Sequence, residues 1–180
     1  MINVDRDEAL KLLPFMKTPP DEGIPEGASA SEIQMAENRL GLKYPSDFRE
    51  WLMVTNGPPI GRGGMLGIHP VGCSEDIENV LKFYSAWVSN NWIPVAGNGC
   101  GDYYVLVHES EKMNSVAFID CAFDSDRIAY VIASSLWTFL RYYFESELAD
   151  SDTEWPFNKD ETLKNDPDLL NSRLPLPWES

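Results

Sequence analysis

Hydrophobic positions in the first third of the chain recur every three or four residues, the spacing that predicts amphipathic helices. Residues 5–17 place leucines behind acidic residues and predict a short helix that ends near Pro14. A second helix is predicted to begin at Ser29, which opens a capping-box sequence, and to end at Gly41. The apolar stripe after Pro45 predicts a third helix, and the second and third helices are expected to pack as a pair.

Alternating patterns replace the helical spacing in the middle of the chain. Residues 65–71 alternate over a short length and predict a strand. Ser74 then begins a segment whose apolar positions predict a helix that reaches Val88. Tyr103 and Tyr104 are neighbours on a predicted strand, so one is expected in the core and the other at the surface. Four β-branched and aromatic segments predict an antiparallel meander: WIPVAG, DYYVLVH, SVAFIDCAF and RIAYVI.

The order of the predicted elements defines a fold class and a division of the chain. Helices come first, strands follow, and the segment SSLWTFLRYYFESELA closes this part as a helix with a broad apolar face. This order predicts one α+β domain, with a mostly antiparallel β-sheet of about 5–6 strands and helices packed beside it. Within the single domain, residues 1–180, we expect a core at about 29–150, an N-terminal helix and linker (1–28) and an acidic C-terminal extension (151–180).

The charge of the chain narrows the class of partner. With 14 Lys and Arg against 29 Asp and Glu, the formal net charge is -15. This charge repels nucleic-acid phosphates and anionic membranes, so direct binding to either is not expected. It would attract a basic protein, although acidic surfaces also simply keep proteins in solution. The N-terminal sequence lacks the features of a signal peptide and no long apolar run occurs, so a cytoplasmic location is expected.

The stretch GNGCGDYYVLV has the look of a cofactor-binding loop, but its details predict a turn. Gly97, Gly99 and Gly101 give the spacing G-x-G-x-G, whereas a dinucleotide-binding loop needs G-x-G-x-x-G followed by a helix. Here the sixth position is Asp102, which would repel phosphate, and a strand follows. We therefore expect a tight turn in which Gly101 has a positive φ, and no bound cofactor.

The remaining reactive side chains do not form a recognisable catalytic or metal-binding motif. Cys73, Cys100 and Cys121 are far apart in sequence, in neither a disulfide framework nor a zinc spacing. The two histidines, His69 and His108, lack a serine or cysteine nucleophile motif around them. We expect no enzymatic activity and no metal.

Four acidic residues are the candidate partner-binding residues. Glu75 and Asp76 stand at the predicted start of a helix, where they are expected to be surface acids. Asp124 and Asp126 flank one serine between two predicted strands; this spacing does not fit a calcium loop and predicts a hairpin turn. An acidic face of this kind could mimic nucleic-acid phosphate against a basic nuclease.

Several of these segments occur together in the order of a known family. The run IQMAENRLGLKYPSDFREWLMVTNG resembles the helix pair of the SUKH superfamily, and WIPVAGNGCGDYYVLV is similar to its strand, glycine turn, Gly-Asp and strand. SLWTFLRYYF looks like the closing helix of the family, while Tyr44 stands where leucine is usual. The positions that match the family motifs are Glu37, Leu40, Gly41, Pro45, Phe48, Trp51, Asn56, Gly57, Ile93, Pro94, Gly101 and Asp102.

The resemblance implies a binding protein instead of an enzyme. Many bacterial SUKH proteins are immunity proteins that bind and neutralise polymorphic or contact-dependent toxins, often nucleases, and fungal relatives regulate cell-wall synthesis as interaction hubs. The leading hypothesis is thus an immunity protein for a cognate toxin. The alternative is a cytosolic regulatory or scaffold module that binds an endogenous protein. The recurrent motif residues look architectural, so the resemblance does not locate the partner site.

Overall fold

A computed structural model describes residues 4–70, 73–110, 113–149 and 158–179. In this part of the chain, helices and strands follow the order that the sequence predicts for an α+β domain. The α-helices are α1 (Val4–Leu12), α2 (Ala30–Leu40), α3 (Ser46–Val54), α4 (Ile77–Phe83), α5 (Ser85–Ser89), α6 (Cys121–Asp124), α7 (Leu136–Leu148) and α8 (Lys159–Asn165). The strands are β1 (Trp92–Gly97), β2 (Tyr103–Ser110), β3 (Met113–Ile119) and β4 (Tyr130–Ala133). Short 3-10 helices lie at Leu13–Phe15 and Pro167–Asn171.

The sheet of the described residues is antiparallel throughout, with the strand order β1-β2-β3-β4. The sheet has four strands in the described residues, fewer than the 5–6 expected from the sequence. Part of the difference arises at residues 65–71, where a strand was predicted. Met65 and Gly67 form only isolated bridges, with Ala96 and Asp76. The end of the segment SVAFIDCAF also differs from the prediction, because it forms helix α6 instead of continuing β3.

Helices cover both faces of the sheet. Val105 and Leu106, neighbours on β2, point to opposite faces and are both fully buried. On one face the Tyr104 ring packs against Phe139 of α7, with ring centroids 5.3 Å apart. On the other face Tyr103 contacts Trp87 of α5 at 5.7 Å. The expectation that one of the two tyrosines is a surface residue is therefore wrong, and both are half-buried.

Local signals define the helix ends where the sequence carries them. Ser29 forms the predicted capping box with Glu32, and Gly41 ends α2 with φ 64°. The start of α4 differs from the prediction, since Asp76 and not Ser74 is the N-cap residue. The predicted long helix is also divided at Tyr84, whose ψ of 66° breaks the helical path between α4 and α5.

The two ends of the described chain pack against the central elements. Asp5 of α1 accepts hydrogen bonds from the Thr138 hydroxyl, at 2.7 Å, and from Arg141 of α7. At the other end, the Val131 amide of β4 donates to the Pro175 carbonyl at 2.8 Å. The opposite edge of the sheet is covered too, because the Leu66 amide donates to Val95 of β1 at 2.8 Å. Covered edges limit pairing with strands of other chains. None of the described helices has the length and apolar character needed to cross a membrane.

Candidate interaction surface

Glu37 joins helix α2 to the connection that leads into α3. Its buried carboxylate accepts hydrogen bonds from the Tyr44 amide at 2.8 Å and from Arg49 Nη1 at 2.5 Å, and Lys43 lies 3.5 Å away. Burial raises the pKa of Glu37, but the hydrogen bonds and the two positive charges outweigh it and the net pKa is lowered. Glu37 therefore stays ionised and holds the helix pair in place.

Asn56 and Gly57 connect the end of α3 to the segment before α4. The Asn56 side chain donates to the Ile68 carbonyl and accepts from the Ile68 amide, both at 2.7 Å. Gly57 has φ 67°, and a Cβ there would lie 2.6 Å from His69 Nε2 and 2.7 Å from the Gly67 amide nitrogen. Only glycine fits this position, so the Asn-Gly motif is architectural.

Gly101 and Asp102 form a turn that is tied to helix α6. Gly101 has φ 100°, which confirms the predicted positive φ. The Asp102 carboxylate accepts hydrogen bonds from the Asn98 side chain at 2.8 Å and from the Cys121 amide at 3.0 Å. Asn98 in turn accepts from the Cys100 amide at 2.8 Å. The Cys100 and Asp102 amides thus both donate to the Asn98 side chain within the turn, as expected for a structural turn. The other motif residues are Leu40, half-buried, and the buried Pro45, Phe48, Trp51, Ile93 and Pro94.

The structure places the four candidate acids in different roles. Asp76 is only 4% exposed, and its carboxylate accepts from the Asn79 amide and the His69 amide, both at 3.0 Å. This corrects the expectation of a surface acid, because both oxygens of Asp76 are used inside the protein. Glu75 is half-buried, whereas Asp124 and Asp126 are exposed. Asp124 ends helix α6 and is followed by a turn, so the expected two-strand hairpin is replaced by a short helix.

An aromatic cluster lies on the sheet face that carries α4 and α5. Tyr84 stacks on Trp87 with ring centroids 4.4 Å apart and meets Tyr103 edge-on at 5.8 Å. Phe83 and Tyr84 form a T-shaped pair with ring centroids 4.8 Å apart, yet Phe83 is 80% exposed. Most of a large apolar ring is thus left in water beside a well-packed cluster.

Helix α6 lies against the same cluster and carries a second exposed ring. Trp87 Nε1 donates to the Ser125 carbonyl at 2.8 Å, just after the end of α6. Burial is the main cause of a raised pKa of the Tyr84 hydroxyl, and a hydrogen bond with the Cys121 thiol is the second. Phe123, between these two contact points in the chain, is 81% exposed.

Phe83 and Tyr103 also line a groove of about 300 Å³, together with Ser74, Asn79, Val80 and Tyr84. Glu75 follows directly after Ser74 in the chain. The pKa of Tyr103 is raised mainly by burial, then by the Cys121 thiol and by the negative charge of Glu75. Glu75 is therefore near Tyr103, although it lines the neighbouring cleft and not this groove. We call this region the aromatic-acidic surface and define it by Phe83, Tyr84, Tyr103, Phe123, Glu75, Asp124 and Asp126.

A second cleft, of about 660 Å³, lies beside Glu75 and contains His69 and Cys73. The Cys73 thiol donates to the Glu75 carboxylate at 3.2 Å, and burial raises the pKa of Cys73. A nucleophilic cysteine needs the opposite shift, usually from a positively charged neighbour. His69 Nε2 is buried without a hydrogen-bond partner, so this atom does not activate the thiol. In the described residues, no cluster of histidine, cysteine and acidic side chains is suited to hold a metal ion.

Sequence reasoning missed the exposed phenylalanines, although one signal pointed to Phe83. The apolar face of α4 is formed by Ile77, Val80, Leu81 and Tyr84 at helical spacing, and Phe83 lies outside it. A large apolar residue off the buried face of a helix is a candidate contact residue. Phe123 gave no such signal, because its segment reads as a continuing strand.

The sequence profile of the SMI1 / KNR4 family (SUKH-1) matches residues 27–142, more than half of the chain. The chain is also similar to the solved crystal structure of a protein from Pseudomonas syringae pv. tomato. The two have 17% sequence identity and a TM-score of 0.56, over 75% of this chain and 95% of the other. At that identity the likeness shows a shared fold. No curated protein matches the chain in sequence. From its profile match and from the helix-pair and Gly-Asp motifs, the chain belongs to the SMI1 / KNR4 family (SUKH-1).

Proposed function

We propose that this chain is a non-catalytic immunity protein that binds a cognate bacterial toxin and occludes its active site. The aromatic-acidic surface is the observation that best supports the proposal. Phe83 and Phe123 leave about four-fifths of their area in water, at 80% and 81% exposure, beside a packed aromatic cluster. Exposed aromatic residues of this kind are the usual anchors of protein interfaces.

Charge supports a basic partner. The chain has a net charge of -15, and Asp124 and Asp126 are both exposed beside the exposed ring of Phe123. A basic toxin domain, such as a nuclease that binds nucleic acid, carries the complementary charge, which speeds association and selects the partner. Family membership supports the same direction, since immunity to toxins is the role of many SUKH proteins.

The chemistry of the second cleft supports the non-catalytic part of the proposal. The pKa of Cys73 is raised mainly by burial, and its thiol donates to the Glu75 carboxylate, whose negative charge disfavours the thiolate. A thiol in this setting is a poor nucleophile at neutral pH. His108 Nδ1 lies 2.6 Å from Asn114 Oδ1, so an amide oxygen holds this ring nitrogen.

The test is co-expression of the full chain with the toxin domain encoded by the neighbouring gene. We expect growth to be rescued and a complex to elute as one peak in size-exclusion chromatography. The double variant Asp124→Asn/Asp126→Asn should slow complex formation, and the effect should shrink at high salt. The matched control is Asp160→Asn/Asp168→Asn, which removes the same charge from exposed positions of the C-terminal segment.

Two results would contradict the proposal. One is a folded chain that neither rescues growth nor forms a complex with the toxin domain. The other is specific capture of an endogenous protein of the host, with no effect on the toxin, which would instead support a regulatory or scaffold module. Loss of rescue in the control variant as well as in Asp124→Asn/Asp126→Asn would remove the role assigned to this surface.

A further inference from the structure

We propose that helix α6 anchors the complex with the partner, and that Phe123 enters an apolar pocket of the toxin domain whose rim is basic. This inference rests on the proposed function, because it names the contact that holds the toxin and the chemistry of the toxin surface. Phe123 is 81% exposed, and its neighbours Ala122 and Asp124 are exposed as well. Helix α6 buries none of its own residues, so this turn presents its side chains to solvent.

Two aspartates fix the start of α6. The Asp120 carboxylate is the helix cap, since it accepts a hydrogen bond from the Phe123 amide at 3.0 Å. The Cys121 amide donates to the Asp102 carboxylate, also at 3.0 Å, and this bond joins α6 to the Gly-Asp turn before β2. The backbone of Phe123 is therefore held by a local cap and, through its helix, by a motif residue of the sheet.

The end of α6 is held by separate contacts. The fully buried Trp87 of α5 donates its indole N–H to the Ser125 carbonyl at 2.8 Å. The Asp126 amide donates to the Asp124 carboxylate at 3.0 Å. Because the turn is bound at both ends, its backbone is arranged before the partner arrives. This order lowers the entropy lost on binding, which favours a tight complex.

An exposed aromatic ring on an ordered turn fits a concave apolar surface. A phenylalanine that becomes buried removes about 150–250 Å² of surface from water, and this burial stabilises a complex. Anchor residues of protein interfaces usually fill such dry pockets near the centre of the contact. We therefore assign to the toxin domain an apolar pocket of the size of one phenylalanine ring.

The charge around Phe123 determines the rim of that pocket. The helix and the residues next to it carry three acids and one cation: Asp120, Asp124, Asp126 and Arg127. Within the described residues none of these four forms an ion pair. The local charge is thus negative and not neutralised by the protein itself. It complements a basic rim and repels a second copy of this acidic chain.

The other exposed phenylalanine of the surface, Phe83, lies in a different charge setting. Its neighbour Lys82 is paired with Glu78 at 3.0 Å, and Glu78 is also paired with Arg39 at 2.8 Å. These charges are used within the protein. Phe83 can add apolar contact area, but only α6 combines an exposed ring with unpaired acids.

The experiment measures the association and dissociation rates of the full chain with the toxin domain encoded by the neighbouring gene, by surface plasmon resonance. We expect Phe123→Ala to raise the dissociation rate about 30-fold, the size of an interface hot spot, and to leave the association rate nearly unchanged. Arg127→Gln should speed association with a basic partner, whereas Asp124→Asn/Asp126→Asn should slow it. Both effects on association should shrink at high salt.

Phe15→Ala is the matched control for the loss of an exposed ring. Phe15 is 70% exposed in the N-terminal 3-10 helix, far along the chain from α6, and its replacement should change neither rate. Because Phe15 and Phe123 are both exposed, folding should survive each change, which urea unfolding of each variant would verify.

Two variants of Asp120 test whether the order of the turn contributes. Asp120→Asn and Asp120→Ala lose the same charge, but only asparagine keeps an oxygen that caps the helix. Asp120→Ala should therefore bind about fivefold more weakly than Asp120→Asn, because the loosened turn must be ordered on binding. Equal affinities would show that the cap does not position Phe123.

An unchanged dissociation rate in Phe123→Ala would overturn the proposal, while rescue of growth would leave the immunity function standing. Slower association of Arg127→Gln would overturn the basic rim. Concentration-dependent dimerisation of the chain that Phe123→Ala abolishes would overturn the proposal in favour of a second copy as the partner.

A photoreactive benzoylphenylalanine in place of Phe123 decides the case in which the toxin domain forms no complex. The same group in place of Phe15 is the control. Crosslinking in host cells to one basic protein, which excess unmodified chain prevents and excess Phe123→Ala does not, would keep α6 as the anchor and reject only the immunity function. The lack of such a product would overturn both.

Discussion

The side-chain amide of Asn56 forms two hydrogen bonds with the backbone of Ile68, each 2.7 Å long. Its nitrogen donates to the Ile68 carbonyl and its oxygen accepts from the Ile68 amide, as the backbone of a neighbouring strand would do. The pair ties the end of α3 to the segment that leads to Asp76, the N-cap residue of α4. Helix α4 in turn carries Phe83 to the aromatic-acidic surface. A motif residue of the helix pair thus positions, through the backbone, a surface that it does not touch.

Asn56→Ala should lower the free energy of unfolding by about 1–3 kcal/mol, because it leaves the amide and the carbonyl of Ile68 without partners in a partly buried place. Urea unfolding measures the loss. Asn38→Ala is the control, since Asn38 is exposed on α2 and its replacement should cost at most about 0.5 kcal/mol. Equal losses in both variants would show that the two hydrogen bonds add nothing.

Gly57→Ala should be more destabilising than Gly41→Ala, although the two glycines have nearly the same backbone conformation. Their φ values are 67° and 64°, so alanine pays a similar conformational cost of about 1–2 kcal/mol at each. A Cβ at Gly57 would also lie 2.6 Å from the His69 ring, whereas nothing lies within 4 Å of one at Gly41. Overpacking should add about 1–3 kcal/mol at Gly57 alone. Thermal unfolding with equal losses for the two variants would contradict this account.

Leu169→Ala tests whether the C-terminal segment folds with the rest of the domain, as we propose from its contacts. Leu169 is fully buried, while its neighbour Leu170 is 57% exposed. We expect a loss of about 2–5 kcal/mol for Leu169→Ala, from lost burial and the cavity it leaves. Leu170→Ala should stay within about 0.5 kcal/mol of the unchanged protein. If neither variant alters the unfolding midpoint, this segment is outside the cooperative unit and the domain core ends earlier.

Glu37→Gln should change how stability depends on pH. The folded-state pKa of Glu37 is lowered, so its contribution is present above the unfolded pKa of about 4.3 and is lost as pH falls through the folded value. Glutamine removes that contribution at neutral pH and should flatten the decline in stability below about pH 4.3. Urea unfolding between neutral and acid pH measures both effects. Glu26→Gln, at an exposed glutamate, is the control and should change the free energy of unfolding by at most about 0.5 kcal/mol.

Most of the helices and strands could be predicted, because their signals lie within a few residues of each other. Ser29 and Glu32 meet in one turn, and Gly41 needs only its own φ of 64° to end the helix. The four strand segments were likewise recognisable, because successive side chains of a strand point to opposite faces and this two-residue period is visible within each segment. The errors occur where contacts from elsewhere compete, as at residues 65–70, where Asn56 and β1 take the hydrogen bonds that a new strand would need.

The candidate site was only partly predictable. Asp124 and Asp126 were expected as surface acids from charge and position and are exposed, whereas Glu75 is half-buried and accepts a hydrogen bond from the Cys73 thiol. Asp76 reads the same way in sequence, but its two oxygens cap α4 and bind the His69 amide. Whether an acid binds a partner or its own backbone depends on which amides the fold brings close, and spacing along the chain does not report that.

The sequence by itself determined the helix pair, the antiparallel strands, the Gly-Asp turn and the family, because each depends on local conformation and on the order of short motifs. Only the tertiary structure decided how the residues of the proposed interaction surface are arranged. Tyr84 and Tyr103 come from a helix end and a strand start that are separate in the chain, and the sheet places their rings 5.8 Å apart. That packing fills the interior with Trp87 and leaves Phe83 in water, an outcome of three-dimensional fit that the hydrophobic pattern does not contain.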